Sequence, residues 1–181
     1  MSDVQVAFTV VGVLCLVNLM LTLVVIRRVR LHGEKLTAGP MFRGETMTLP
    51  AGTRVPEFSV TATSGERRTL ADLTGSRSLV GFFSPHCPPC HGQLPEFNDL
   101  ARSIPGGAAQ VLAVITGEAD AAADFGAELA TVATVVTEPP NGPAATAFSA
   151  HGRPCFYLVG ADGQIEASGR TVRRLTSAVP A

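Results

Sequence analysis

The segment Leu79–Phe97, LVGFFSPHCPPCHGQLPEF, constrains the fold of this chain more than any other. Ser78–Phe83 is a short continuous apolar run, the pattern of a strand covered on both faces. Cys87, Pro88, Pro89 and Cys90 stand at its C-terminal end. Beyond them Leu94, Phe97, Leu100, Ala101 and Ile104 recur at helical spacing until Pro105-Gly106-Gly107 stops the pattern. Two thiols therefore sit where a buried strand passes into a helix. Pro95 is expected to kink that helix rather than end it.

The rest of the C-terminal part continues the alternation. Gln110–Thr116 reads as a second buried strand, Glu118–Ala130 as a helix and Thr131–Val136 as a third strand. A short helix over Ala144–Ser149 follows, then a strand at Cys155–Gly160. The turn Asp162-Gly163 joins that strand to Gln164–Ser168, and Thr171–Val179 closes the chain as a helix. Upstream, Glu57–Thr63 and Arg67–Leu70 flank Ser64-Gly65 as a small hairpin. Alternating strands and helices followed by a hairpin and a last helix predict an α/β fold, a three-layer sandwich around a mixed central sheet.

The N-terminal stretch is of another kind. Val4–Ile26 carries no charged residue. At about 1.5 Å per residue it covers the roughly 30 Å hydrocarbon layer of a membrane. It is too long for the apolar core of a signal peptide, no basic segment precedes it, and Arg27-Arg28 rather than a small-residue cleavage site follows. The expected organisation is one N-terminal transmembrane helix over residues 1–30, a Gly- and Pro-broken linker over 31–52 and a globular domain over 53–181. Arg27, Arg28, Arg30 and Lys35 follow the span, which by the positive-inside rule puts the domain in the cytoplasm. A formal net charge of −1 over 181 residues argues against a nucleic-acid partner.

A Cys-x-x-Cys pair serves zinc sites as well as redox couples. A structural zinc needs four ligands. The nearby additions are His86 and His91, each adjacent to a cysteine and unable to turn inward on one ion with it, and no second pair stands at the usual separation. The redox reading has the stronger physical basis. Cys87 at the start of a helix meets free N–H groups and the helix dipole, which stabilise a thiolate, so it is the expected nucleophile. Cys90, one turn in, is the expected resolving thiol. Pro88 and Pro89 remove two backbone donors while stiffening the first helical turn. His86 either favours the anionic sulfur or is a solvated loop residue, and His91 is expected to be solvated.

With these residues in view, the chain resembles the thioredoxin superfamily over about Thr53–Ala181. "FFSPHCPPC" is similar to the family's strand and active-site segment. Pro95 stands where the family's helix carries its kinking proline, and Pro154, before a strand and an Asp-Gly hairpin, stands where the family has its cis-proline. The N-terminal anchor and "RVPEFSVTATSGERRTLADL" resemble the membrane-anchored TlpA-like branch. Within that branch, "LHGEKLTAGP" and "GRPCFYLVGADGQIEASG" are most similar to the MauD proteins of methylamine utilisation. The resemblance implies a thiol–disulfide oxidoreductase that reduces or isomerises disulfides of protein partners through Cys87, Cys90 and Pro154. It implies an electron donor outside this sequence, no metal and no cofactor. It also implies a single-pass protein of the cell membrane with its domain outside the cytoplasm, against the arginine count.

Departures from the family pattern bear on the proton. Where thioredoxin has a buried acid this chain has Gly81, and where some TlpA-like reductases carry a glutamate it has Gln93. Glu96 is either a substitute or an exposed helical residue. Cys155, directly after Pro154, lies either near Cys87 or in the core as a buried thiol. Two further functions fit parts of the pattern. In a copper chaperone Cys87 and Cys90 would hold Cu(I) with His86 or His151 nearby. A peroxidase wants a Pro seven residues and a Ser or Thr three residues before the nucleophile; Ser84 fits and Val80 does not.

Overall fold

The computed structural model describes residues 5, 8, 12–16, 18–20, 48–117 and 119–177. The chain divides into two compact units, residues 1–44 and 45–181. In the first, every described residue is helical, and Phe8, Leu14, Leu16, Leu19 and Met20 expose their side chains. Among the described residues no helix is long and apolar enough to cross a membrane. Much of the span expected over Val4–Ile26 lies outside the described residues, as does most of the linker.

The second unit is built on a five-stranded sheet. In chain order the elements are β1 (Ser59–Thr61), β2 (Arg67–Thr69), β3 (Ser78–Phe83), α1 (Pro88–Ser103), β4 (Val111–Thr116), α2 (Ala119–Leu129), β5 (Thr134–Glu138), α3 (Pro143–Ala147), β6 (Cys155–Val159), β7 (Ile165–Gly169) and α4 (Val172–Thr176). β1 and β2 form a separate antiparallel hairpin, and the main sheet runs β5-β4-β3-β6-β7. β3, β4 and β5 are parallel, because α1 and α2 carry the chain back across one face between them. β6 and β7 are antiparallel, joined by the turn in which Gly163 takes a φ of 78°. This is the mixed sheet expected from the alternation of elements.

All residues of β3 and β4 are buried, which is why both read as continuous apolar runs. Two cores result. On the face covered by α1, α2 and α4 lie Leu79, Phe83, Cys90, Phe97, Phe125 and Phe156. Phe83 stands at their centre, its ring 5.0 Å from that of Phe97 and 5.6 Å from those of Phe125 and Phe156. On the other face, beneath the β1–β2 hairpin and α3, lie Val80, Phe82, Phe148, Cys155 and Tyr157.

Both sheet edges are covered, as free edges invite association. Beside β5, Ala62 bridges Val136 and the Thr63 N–H reaches the Val135 carbonyl at 2.8 Å. Beside β7, Gly52 donates to the Ile165 carbonyl at 2.8 Å and the Ser168 hydroxyl to the Leu49 carbonyl at 2.7 Å. The boundary expected at Thr53 falls inside this strap.

One strand sits later than its pattern. Thr131–Val136 reads as the third strand, but β5 begins at Thr134. Ala130 still donates to the Gly126 carbonyl and Ala133 to the Leu129 carbonyl, so the end of α2 uses the first β-branched residues. The strand then runs on to Glu138, which is buried. Its carboxylate accepts the N–H groups of Ala144 and Ala145 at 3.1 and 2.8 Å, and burial pushes its carboxyl up from the ordinary range. An acid tied to the start of α3 is invisible to an apolar pattern.

Candidate active site

β3 delivers the chain to Ser84-Pro85-His86, and the Cys87 N–H turns back to the Ser84 carbonyl at 3.2 Å. Cys87 is the N-cap of α1, with extended backbone angles, and the prolines fill the first two helical positions. Proline is tolerated there because those N–H groups have no partner inside a helix. The first donor left in the helix, Cys90 N–H, bonds the Cys87 carbonyl at 2.9 Å.

The two thiols differ in environment. Both are unbridged; Cys87 is half-buried, while Cys90 is fully buried among the residues packed under α1. Burial, and next the hydrogen bond shared with the Cys87 thiol, push the Cys90 thiol up to about 12. It stays protonated in the resting dithiol, so attack on an external disulfide falls to Cys87. Brief alkylation of the folded, reduced protein should therefore modify Cys87 and spare Cys90 until the protein is denatured. Peptide mapping that finds both labelled equally would reverse this assignment.

Pro154 is buried and the Arg153–Pro154 peptide is cis, as the thioredoxin resemblance implied. Phe82 pairs with Cys155 in the antiparallel register. Pro154 and Arg153 immediately precede β6, outside this ladder, as Ser84 immediately follows β3. Cys155 takes the second of its two expected places. It packs with Phe82 and Tyr157 on the sheet face opposite Cys90, and its thiol donates to the Gly152 carbonyl at 2.8 Å. Strand alternation is the reason, since Phe156 turns toward Cys90 and Cys155 must turn away.

His86 is exposed. His91 is exposed too, but a ring N–H donates to the Pro85 carbonyl at 2.8 Å and the ring meets Phe125 edge-on at 5.0 Å. It ties the loop before Cys87 to α1 and α2. His151, the other histidine weighed for copper, is also exposed.

The missing acids have structural counterparts. A Cβ on Gly81 would lie 2.6 Å from a ring carbon of Phe97 and 2.7 Å from one of Phe83, so aromatic rings fill the place of a carboxylate. Gln93 accepts the Val172 N–H at 2.9 Å and thereby caps α4. Glu96 is paired with Arg173 at 2.9 Å.

Arg153 is the site residue that sequence patterns do not reveal. Its side chain reaches from the loop before β6 to the end of β4, where Nη2 and Nε donate to the Thr116 hydroxyl at 2.7 and 3.2 Å. Nη1 donates to the Ala150 carbonyl at 2.5 Å, and the guanidinium lies 5.9 Å over the Phe82 ring. Its positive charge opposes the effect of burial on both Cys90 and Cys155. A single arginine in a Gly-Pro loop has no periodic or motif signature, so only its contacts identify it.

Residues 51–168 fit the model of the AhpC/TSA family. The chain is 30% identical over 141 residues to the thiol:disulfide interchange protein CycY of Rhizobium leguminosarum bv. viciae, across 74% of each chain. Among solved structures, a thiol:disulfide interchange protein of the thioredoxin family from Chlorobium tepidum TLS superposes with a TM-score of 0.55. The two are 19% identical, over 72% of this chain and 95% of that one. A secreted Mycobacterium tuberculosis disulfide oxidoreductase homologous to E. coli DsbE gives 0.51 at 19% identity, over 67% and 92%. At such identities the two structures establish the fold, which is thioredoxin-like. The family match runs without interruption from the strap beside β7, through the cysteine pair and the cis-proline loop, into β7 itself, and on that ground the chain belongs to the thioredoxin-like AhpC/TSA family.

Proposed function

We propose that this chain is a membrane-anchored thiol–disulfide oxidoreductase that exchanges electrons with disulfides of protein partners through Cys87 and Cys90. The observation that carries the reading is the asymmetry of the pair, a half-exposed N-cap thiol with a buried thiol one turn behind it. Cys87 Sγ attacks a partner disulfide, forms a mixed disulfide and releases one partner thiol. Cys90 Sγ then attacks Cys87, releases the second partner thiol and leaves a Cys87–Cys90 disulfide. Two electrons pass to the partner, and a separate donor of dithiol chemistry restores the pair.

The second step needs the Cys90 proton to leave. In the resting dithiol the Cys87 thiol helps to hold it. Once Cys87 is bound in a mixed disulfide that hold is gone, while the Arg153 charge remains to favour the thiolate. The departing partner thiolate takes the proton. No carboxylate at position 81 or 93 is required.

Incubating the reduced protein with a disulfide-linked peptide tests the reading. Two peptide thiols should appear for each Cys87–Cys90 disulfide formed. Absence of exchange by the folded dithiol protein would overturn it, and Cu(I) retained through mild purification would favour the chaperone reading instead.

The anchor is supported by the uncharged run Val4–Ile26 and by the exposed apolar side chains of its helical residues. The catalytic domain is proposed to face the extracytoplasmic side, where protein disulfides persist. A membrane-impermeant thiol reagent added to intact, mildly reduced cells should label Cys87. Labelling only after the membrane is broken would put the domain inside, as the arginine count predicts.

A further inference from the structure

His91 ties the cysteine pair to the loop that delivers it. It is the fourth residue of α1, and helical side chains lean toward the N-terminus of their helix. Its ring therefore reaches back over the helix start, where Nε2 lies 2.8 Å from the Pro85 carbonyl oxygen. Phe125 of α2 meets the same ring edge-on at 5.0 Å and fixes its direction. Pro85 has no N–H by which a neighbour could hold it. Its own ring lies against Gly117 just after β4, where a Cβ would come within 3.4 Å of Pro85 Cδ. The carbonyl is the remaining handle, and His91 takes it.

The residue before Pro85 addresses both thiols. The Ser84 carbonyl accepts the Cys87 N–H at 3.2 Å. Burial, and next the Cys87 thiol, push the Cys90 thiol up, and a backbone hydrogen bond from Ser84 acts against them. The Ser84 oxygen thus orients the backbone of the nucleophile, while its N–H favours the resolving thiolate. Ser84 lies beyond β3, so neither neighbouring strand secures it.

We propose that His91 is a positioning residue for the second exchange step. By holding the Pro85 carbonyl it keeps the Ser84 N–H on Cys90 Sγ while Cys90 loses its proton. Cys90 Sγ then attacks Cys87 Sγ in the mixed disulfide. The Cys87–Cys90 bond forms, the bond to the partner breaks, and the partner thiolate leaves with the proton from Cys90. The first attack, made by Cys87 at the proline-stiffened helix start, depends on this tether far less. This rests on the thiol–disulfide reading above.

The test is single-turnover exchange between the reduced full chain in detergent and a disulfide-linked peptide. Samples quenched in acid are read by mass as dithiol, mixed disulfide and Cys87–Cys90 disulfide. His91→Phe keeps a ring against Phe125 and removes the N–H. It should lengthen the life of the mixed disulfide about fivefold, the worth of one net hydrogen bond, and leave the first attack within about twofold. Raising the pH should recover most of the lost rate, because base ionises Cys90 without help from Ser84, whereas a loss of packing would not respond in this way. Cys87 and Arg153, the other groups acting on the Cys90 thiol, are the same in every variant. His91→Gln, whose amide nitrogen takes the place of Nε2, should bring the lifetime back toward that of the unmodified protein. An unchanged lifetime in His91→Phe, or one as long in His91→Gln as in His91→Phe, would overturn the positioning role and leave the redox reading standing. If the unmodified protein forms neither adduct nor disulfide, both fall.

Discussion

Cys87→Ser should abolish exchange with peptide disulfides, lowering the rate by at least about three orders of magnitude, because no other exposed thiol lies at the site. Cys90→Ser should do something different. The first attack remains possible and the second does not, so the variant should accumulate as a mixed disulfide through Cys87, one partner bound per protein. Non-reducing electrophoresis from cells would show discrete adducts that collapse on reduction. Cys155→Ala should do neither, because Cys155 is on the opposite face of the sheet from Cys90. If Cys90→Ser yields no adducts, or if Cys155→Ala traps partners as well, the division of labour between these thiols is wrong.

Gly81→Asp should cost more stability than any single change on the surface of the domain. The new Cβ would meet Phe97 at 2.6 Å and Phe83 at 2.7 Å, both rings being fully buried, so neither can swing into solvent. Overpacking of this kind costs about 1–3 kcal/mol, and an unpartnered buried carboxylate adds several more. Against a total stability on the order of 5–15 kcal/mol, the variant should be largely unfolded or recovered as aggregate. Gly81→Ala isolates the steric part and should lose about 1–3 kcal/mol in chemical denaturation. Pairing it with Phe97→Leu should give less than the sum of the two losses, because the smaller side chain makes room at the same contact. A Gly81→Asp protein with an unchanged midpoint would mean that the ring packing around Gly81 is not as described.

These outcomes bear on how the site can work. An acid cannot be placed behind Cys90 by simple substitution at position 81, since aromatic rings hold that space. The cation Arg153 approaches from the cis-proline loop, on the other side of β3. In the proposed mechanism, proton release from Cys90 depends on the state of Cys87 and on the positive charge of Arg153 rather than on a carboxylate at position 81.

Much of this is legible in the residue order alone. β3, α1 and the hairpin β6–β7 follow from apolar runs, helical period and an Asp-Gly turn, all of which act within a few residues. The same local logic set Cys87 at the helix start and Cys90 one turn on. β5 begins three residues after the start its pattern predicts, because the pattern of β-branched residues does not record where α2 stops making hydrogen bonds.

What the residue order determined by itself is the material of the site: a buried strand, a proline-stiffened helix start, and two thiols spaced by one turn. Those are consequences of φ restriction, period and capping, which neighbours in the chain impose on each other. Only the tertiary structure decided the rest. The register of β6 against β3 sent Cys155 to one face and left Cys90 on the other. Gln93 was recruited to cap α4 across 79 positions, and Arg153 was brought to Thr116 across 37. Gly81 became a place for rings rather than an acid. Each of these depends on which surfaces meet when the sheet assembles, because burial and hydrogen-bond geometry are properties of packed elements and are not carried by any one segment alone.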